Sequence, residues 1–206
     1  MCRQRQVAAY HRVQGFTVSF FKNIFGRSEP PKANLDNLFA VPSAAITLEV
    51  SAGFKATGVA SVCYRQAEGG AFATAQADVQ ELLDADGGPK VERTTDKFGF
   101  TWLVCRQEPT ELAELVTELH AVNASLENAG FGPSLLCTLV AFEDAADRAL
   151  GLVYLYKQGT FYPFAPKVGQ QRDNTLELQI RGLLGDDLTI EPELGRWLAI
   201  WGAPGL

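Results

Sequence analysis

The stretch Ala149–Phe164, ALGLVYLYKQGTFYPF, constrains the fold more than any other part of this chain. Side chains alternate across a strand, so Leu152, Tyr154 and Tyr156 share one face while Val153 and Leu155 share the other. Both sets are apolar, which places this strand inside a sheet covered on its two sides. Gln158-Gly159 supplies a hairpin turn. The returning strand Thr160–Phe164 carries Pro163, which lacks an N–H and so belongs at a sheet edge. An edge bearing Phe161, Tyr162 and Phe164, with Lys157 close by, is a candidate partner-contact surface. Core packing is the alternative for the same aromatics.

The remaining elements follow from local signals. Asn34 or Asp36 can cap a short segment Leu35–Val41, and Pro42 fits the first turn of a helix over Ser43–Ala52 that Gly53 ends. Thr57–Tyr64 reads as a strand. Gly69-Gly70 precede a helix over Ala71–Leu83 with Phe72, Ala75, Val79, Leu82 and Leu83 on one side. Lys90–Thr95 and Phe98–Arg106 make a hairpin. The clearest helix is Thr110–Ala129, striped by Leu112, Leu115, Val116, Leu119, Val122 and Leu126 and stopped by Gly130. Ser134–Phe142 adds a further strand ahead of the aromatic hairpin, and Asp173 or Asn174 caps a helix through Leu184. Trp197 and Trp201, four apart, are expected to clamp the C-terminus to the body.

The order is β-α-β-β-α-β-β-β-α behind a leading helix. It predicts an α+β fold of two layers, a mainly antiparallel sheet with helices packed on it. The first six elements fit the split β-α-β pattern of ferredoxin-like folds. The portion from Thr110 onward fits equally well the helix–sheet–helix arrangement of secretion-chaperone-like domains.

Charge separates the ends of the chain. Residues 1–28 hold Arg3, Arg5, Arg12, Lys22 and Arg27 and no acid; the net charge of −6 less that +5 leaves −11 on the rest. An acidic body argues against nucleic acid as a partner, since phosphate binding needs a basic footprint. Residues 1–17 show neither helical periodicity nor the apolar stretch of a signal peptide. They read as an extension outside the native protein, with translation expected to start at Val18. Residues 18–33 then form a short amphipathic helix and a Pro-rich linker, and 34–206 a single domain. In that helix Phe20, Phe21, Ile24 and Phe25 share a face flanked by Lys22 and Arg27, a pattern suited to peripheral contact with a membrane interface. Docking on the body is the other reading. The longest apolar run, Leu135–Phe142, is far short of the roughly 20 residues that a spanning helix needs.

No constellation calls for a cofactor or metal. Cys2, Cys63, Cys105 and Cys137 are scattered, and three lie in apolar runs where cysteine acts as a small hydrophobe. Four scattered cysteines suit a reducing cytosol. DADGGP, at 84–89, echoes a calcium loop but lacks its glycine and its final glutamate. His120 has no carboxylate three or four residues on, and no G-x-S-x-G elbow accompanies it. Gly69-Gly70 lacks a phosphate-loop lysine, and the acids in GDDLTIEPE (185–193) read as solvating a loop.

The segments NIFGRSEP, LDNLFAVPSAAITLE, EGGAFA, ELLDADGGP, GFTWLVCR, ELHAVNASLENAGFGPSLLC, LVYLYKQGTFYPFAP, RDNTLELQ and LGRWLAIWGAPGL occur in that order. Together they resemble the PspA-associated protein PspAB family over about residues 18–206. The resemblance implies a non-enzymatic accessory of PspA in the phage-shock envelope-stress response, at the cytoplasmic face of the membrane. It supplies no catalytic residue. On this reading Phe161, Tyr162 and Phe164 with Arg172 would touch the partner. Two other readings stand beside it. One is a small-molecule-binding or enzymatic domain, with a pocket lined by Trp102, Tyr154 and Tyr156 and His120 beside a carboxylate. The other is a chaperone-like homodimer.

Overall fold

A computed structural model describes residues 34–65 and 91–206, together with Ala73, Thr74, Gln76, Ala77, Gln80, Glu81 and Asp84. The expectations for residues 1–17 and for Phe20, Phe21, Lys22, Ile24, Phe25 and Arg27 lie outside these. The seven intervening positions are all helical; six fall within 71–83, where a helix is expected, and Asp84 lies one residue beyond it.

A 3-10 turn, Leu35–Ala40, leads into α1, Val41–Ala52. Pro42 sits in the first turn of α1, where no intrahelical N–H is required, and Gly53 ends it at φ 74°. Strands β1 (Lys55–Arg65), β2 (Glu92–Thr95) and β3 (Phe100–Arg106) follow. Then comes α2, Leu112–Leu126, which closes in a wider turn where Gly130 takes φ 88°. Strands β4 (Leu135–Glu143), β5 (Ala149–Leu155) and β6 (Thr160–Phe164) precede the small hairpin of β7 (Pro166–Lys167) and β8 (Gln171–Arg172). The last helix, α3, spans Asn174–Leu183. Asp173 caps it by accepting a hydrogen bond from the Leu176 amide at 3.1 Å.

The six long strands form one antiparallel sheet in the order β2-β3-β1-β4-β5-β6. Its first four members have the order and directions of the split β-α-β unit, with β3 inserted between β1 and β2. The hairpin β5-β6 widens that unit beyond β4. The fold is therefore the expected two-layer α+β arrangement, with α1, α2 and α3 on one face of the sheet.

That helix-covered face carries the larger core. Leu115, Val116, Leu119, Val122 and Leu126 of α2, with Leu48 of α1 and Ile180 of α3, pack on Val62, Tyr64, Phe142, Leu152, Tyr154 and Phe161. Each such leucine, fully withdrawn from water, contributes about 2 kcal/mol. Polar groups within this core are paired: Asn123 of α2 donates to Thr138 Oγ1 of β4 at 2.9 Å and to the Leu119 carbonyl at 2.8 Å, and Gln76 Nε2 donates to the Tyr64 hydroxyl. Among the described residues, no α-helix covers the opposite face. Residues 197–206 cross it as an irregular tail, burying Trp197 and Ala203 against Trp102, Val153, Tyr162 and Phe164. The close fit depends on Gly151, where a Cβ would lie 2.6 Å from Leu139 Cδ1 and 3.1 Å from Leu206 Cδ1.

Candidate functional site

The predicted two-sided strand is observed. Leu152, Tyr154 and Tyr156 face the helices, whereas Val153 and Leu155 face the tail. The aromatics of β6 divide in the same way. Phe161 packs on Tyr154 among the helices with ring centroids 5.1 Å apart, while Tyr162 and Phe164 lie under the tail. All three side chains are buried, so in this fold they do not form an exposed contact face. The open edge expected for β6 is also occupied. Thr189 and Glu191 bracket Phe161: its amide donates to the Thr189 carbonyl at 2.9 Å, and its carbonyl accepts from the Glu191 amide at 2.7 Å. The chain thus covers its own edge, a common protection of unpaired strand backbone.

What these residues do is hold the tail. Trp197 stacks on Tyr162 at 6.0 Å and donates its indole N–H to the Glu191 carbonyl at 3.0 Å. Tyr162 donates its hydroxyl to the Leu198 carbonyl at 2.9 Å, and Trp201 meets Phe164 edge-on at 5.0 Å. The expected tryptophan clamp is present. Arg172 joins the parts: its Nε donates to both Glu177 oxygens at 2.9 and 3.1 Å, Nη1 donates to the Trp197 carbonyl, and the guanidinium lies 5.1 Å from the Phe164 ring centre. Glu177 is buried and also accepts from the Ala165 amide at 2.9 Å, so its charge is paired rather than stranded.

Glu191 departs from the reading of the 185–193 acids as a solvated loop. It is buried, accepting from Thr160 Oγ1 at 2.7 Å, the Glu193 amide at 3.0 Å and Arg196 Nη1 at 3.1 Å. Desolvation pushes its carboxyl up, but those hydrogen bonds outweigh it and hold the group below the ordinary glutamate range.

The expected pocket of Trp102, Tyr154 and Tyr156 does not form, because the register sends these side chains to opposite faces. Trp102, Cys63, Cys137 and Leu155 are direct cross-strand partners in one row on the tail side, whereas Tyr154 pairs with Thr138 on the helix side. Tyr154 spends its hydroxyl on the Asn34 carbonyl at 2.8 Å, and burial pushes its pKa up to about 12. His120 does meet a carboxylate, one that spacing along α2 could not show. Asp36 Oδ1 lies 3.4 Å from Nε2, and the ring stacks on Phe39 at 4.9 Å. That pair opens to solvent at its acid, with the Asp36 side chain 82% and the His120 side chain 30% exposed, rather than lying in an enclosed pocket.

The row Trp102–Cys63–Cys137–Leu155 floors a cleft of about 310 Å³ beneath the tail. A hydrogen bond to Cys137, together with burial, pushes the Cys63 thiol well up, so it stays protonated and serves as apolar lining. Asp96, at the rim, accepts from the Trp102 indole at 3.0 Å and from the Phe98 and Phe100 amides at 2.8 and 3.0 Å. Desolvation acts upward on that carboxyl as well, and these donors hold it below its usual range. A second groove, about 990 Å³, runs along α1 past Pro42, Ile46, Glu49 and Leu112. Beside it Ile46 and Val50 stand 67% and 81% exposed on one helical face, with Phe39 half-exposed nearby.

Fold and site together define a two-layer α+β domain, a split β-α-β unit widened by a hairpin and roofed on its second face by its own aromatic-pinned tail. The family model for PspA associated protein B matches residues 18–205, and the chain belongs to that family. The family is thereby described as associated with PspA. No curated protein and no solved structure matches the chain. Among the described residues, no helix is long and apolar enough to cross a membrane, and no group of His, Cys, Asp and Glu is arranged to hold a metal ion.

Proposed function

We propose that this chain is a non-catalytic accessory of PspA that works by protein contact in the envelope-stress response, at the cytoplasmic face of the membrane. The family match over residues 18–205 carries the proposal. The contact face lies on α1, where Ile46 and Val50 project from a helix whose inner side is already committed to the core. Two large aliphatic side chains that exposed, beside an open groove, match the apolar centre of a protein interface. The aromatics Phe161, Tyr162 and Phe164 with Arg172 support partner binding indirectly, by fixing the body that presents the face. Phe20, Phe21, Ile24 and Phe25, flanked by Lys22 and Arg27, supply a basic, apolar contact to lipid.

The test is capture of purified PspA by the full chain, with and without anionic vesicles. Ile46→Glu with Val50→Glu should weaken capture by at least tenfold while leaving thermal stability unchanged. Phe20→Ser with Phe25→Ser should reduce only the vesicle-dependent part. Capture that fails under both conditions removes the proposal, and capture indifferent to the α1 variants moves the face elsewhere.

A further inference from the structure

The cleft beneath the tail has the chemistry of a ligand site that PspA association does not use. Its volume of about 310 Å³ is at the small end for ligand pockets, roughly 300–1,000 Å³. Its floor is the four-strand row Trp102–Cys63–Cys137–Leu155, and Ile200 and Trp201 of the tail form a wall. Three strand spacings make that row about 14 Å long. The shape is a trough, long enough for an extended chain rather than one ring.

The rim carries charge of a particular kind. Arg65 ends β1 and Lys157 follows β5, at the same end of the sheet and two strand spacings apart, roughly 10 Å. Both are exposed, and among the described residues neither pairs with a carboxylate; Arg65 only overlies the Phe100 ring, 6.0 Å from its centre. Lys55, Arg106, Arg148, Lys167, Arg172 and Arg196 each meet an acid; Arg93, Lys97 and Arg181 meet none among the described residues, but they lie outside the cleft lining. In a chain of net charge −6, two unpaired cations over an apolar trough stand out against the bulk charge. The remaining rim charge, Asp96, is turned inward onto the Trp102 indole and two backbone amides.

From this juxtaposition we infer that the cleft binds a single-chain amphiphile with an anionic head, carboxylate or phosphate monoester. The chain lies along the cross-strand row and the head sits between Arg65 and Lys157. Burying the chain supplies about 25 cal/mol per Å² of apolar surface, and the two cations select the head through charge-assisted hydrogen bonds. Nothing in this depends on PspA, and the cleft lies on the sheet face opposite α1.

Trp102 and Trp201 line the cleft, so titrating the full-length chain with dodecanoate, below its aggregation concentration, reads binding by tryptophan fluorescence. Parallel titrations with dodecyl phosphate, dodecanol and inorganic phosphate separate head from chain, and the two anionic amphiphiles from each other. Saturable binding of one equivalent of dodecanoate or dodecyl phosphate is expected, at least tenfold tighter than dodecanol. Inorganic phosphate should give no signal. Arg65→Ala with Lys157→Ala, both at exposed positions, should remove that tenfold preference with an unchanged melting temperature. Ala199→Trp, which fills the rim, should abolish binding. The inference is overturned if neither amphiphile saturates, if dodecanol binds as tightly as the anions, or if the double variant keeps the preference.

Discussion

The two faces of the sheet are covered by different means. On one side α2 lays a continuous apolar stripe, Leu115 through Leu126, across β1, β3 and β4, so covering is spread over many interchangeable aliphatic contacts. On the other the tail has no periodic structure, and a few specific anchors hold it: the Trp197 stack, the Tyr162 hydroxyl and the Arg172 guanidinium. An amphipathic helix satisfies its own backbone and needs only an apolar face. A tail leaves carbonyls such as those of Trp197 and Leu198 without intrachain partners of a regular kind, so side chains on the body must supply the donors. The helix side should therefore behave as the folding core and the tail side as a unit that can open by itself.

The comparison breaks most readily at Leu119, fully buried in the middle of the α2 stripe. Leu119→Ala should cost about 4 kcal/mol of global stability, measured as a shift in the denaturation midpoint with an unchanged slope. Trp197→Ala tests the other face. It removes the stack on Tyr162 and the indole hydrogen bond to Glu191, and the loss of about 3 kcal/mol should be confined to the tail. Amide exchange at residues 197–206 should then accelerate roughly a hundredfold while α2 amides keep their protection. If both variants instead lower global stability in parallel, the two coverings form one cooperative unit and the contrast between them disappears.

The helix side was legible in the sequence because its signals are local. The spacing of Leu115, Leu119, Val122 and Leu126, Pro42 opening α1 and Gly53 closing it, and the alternation through Leu152–Tyr156 each need only a few consecutive residues to read. The split β-α-β order follows from them. The tail side was legible only at Trp197 and Trp201. Its other links join residues far apart in sequence: Thr160 with Glu191, Tyr162 with Leu198, and the Thr189–Glu191 segment with the outer edge of β6. Pro163 correctly marks β6 as an edge, yet no local pattern shows that a later segment covers it. The same limit hid Asp36 beside His120. Trp102 and Tyr154 looked like one pocket because both are large aromatics, and only the register across β3, β1, β4 and β5 separates them.

The smallest test sharpens where the tail is fastened. Glu191 accepts from Thr160 on β6, from the Glu193 amide and from Arg196, so its charge ties the tail's entry to the sheet edge. Its folded pKa lies below the ordinary 4.5, with the hydrogen bonds overcoming the upward push of desolvation. A depressed carboxyl adds stability that is complete above the unfolded value and is lost as pH falls through the folded one. Glu191→Gln keeps the shape and an acceptor oxygen but gives up the charge, at a cost of about 1 kcal/mol near pH 7. As pH falls from about 4.5, the unfolded value, through the lower folded one, that difference between the native chain and the variant should shrink, because the native carboxyl becomes neutral too. Urea denaturation at pH 7 and again near pH 3 reads the change, and exchange at the Glu191 and Glu193 amides assigns it to the tail. A difference that stays constant between the two pH values would mean that the ionised carboxylate is not what fastens this end.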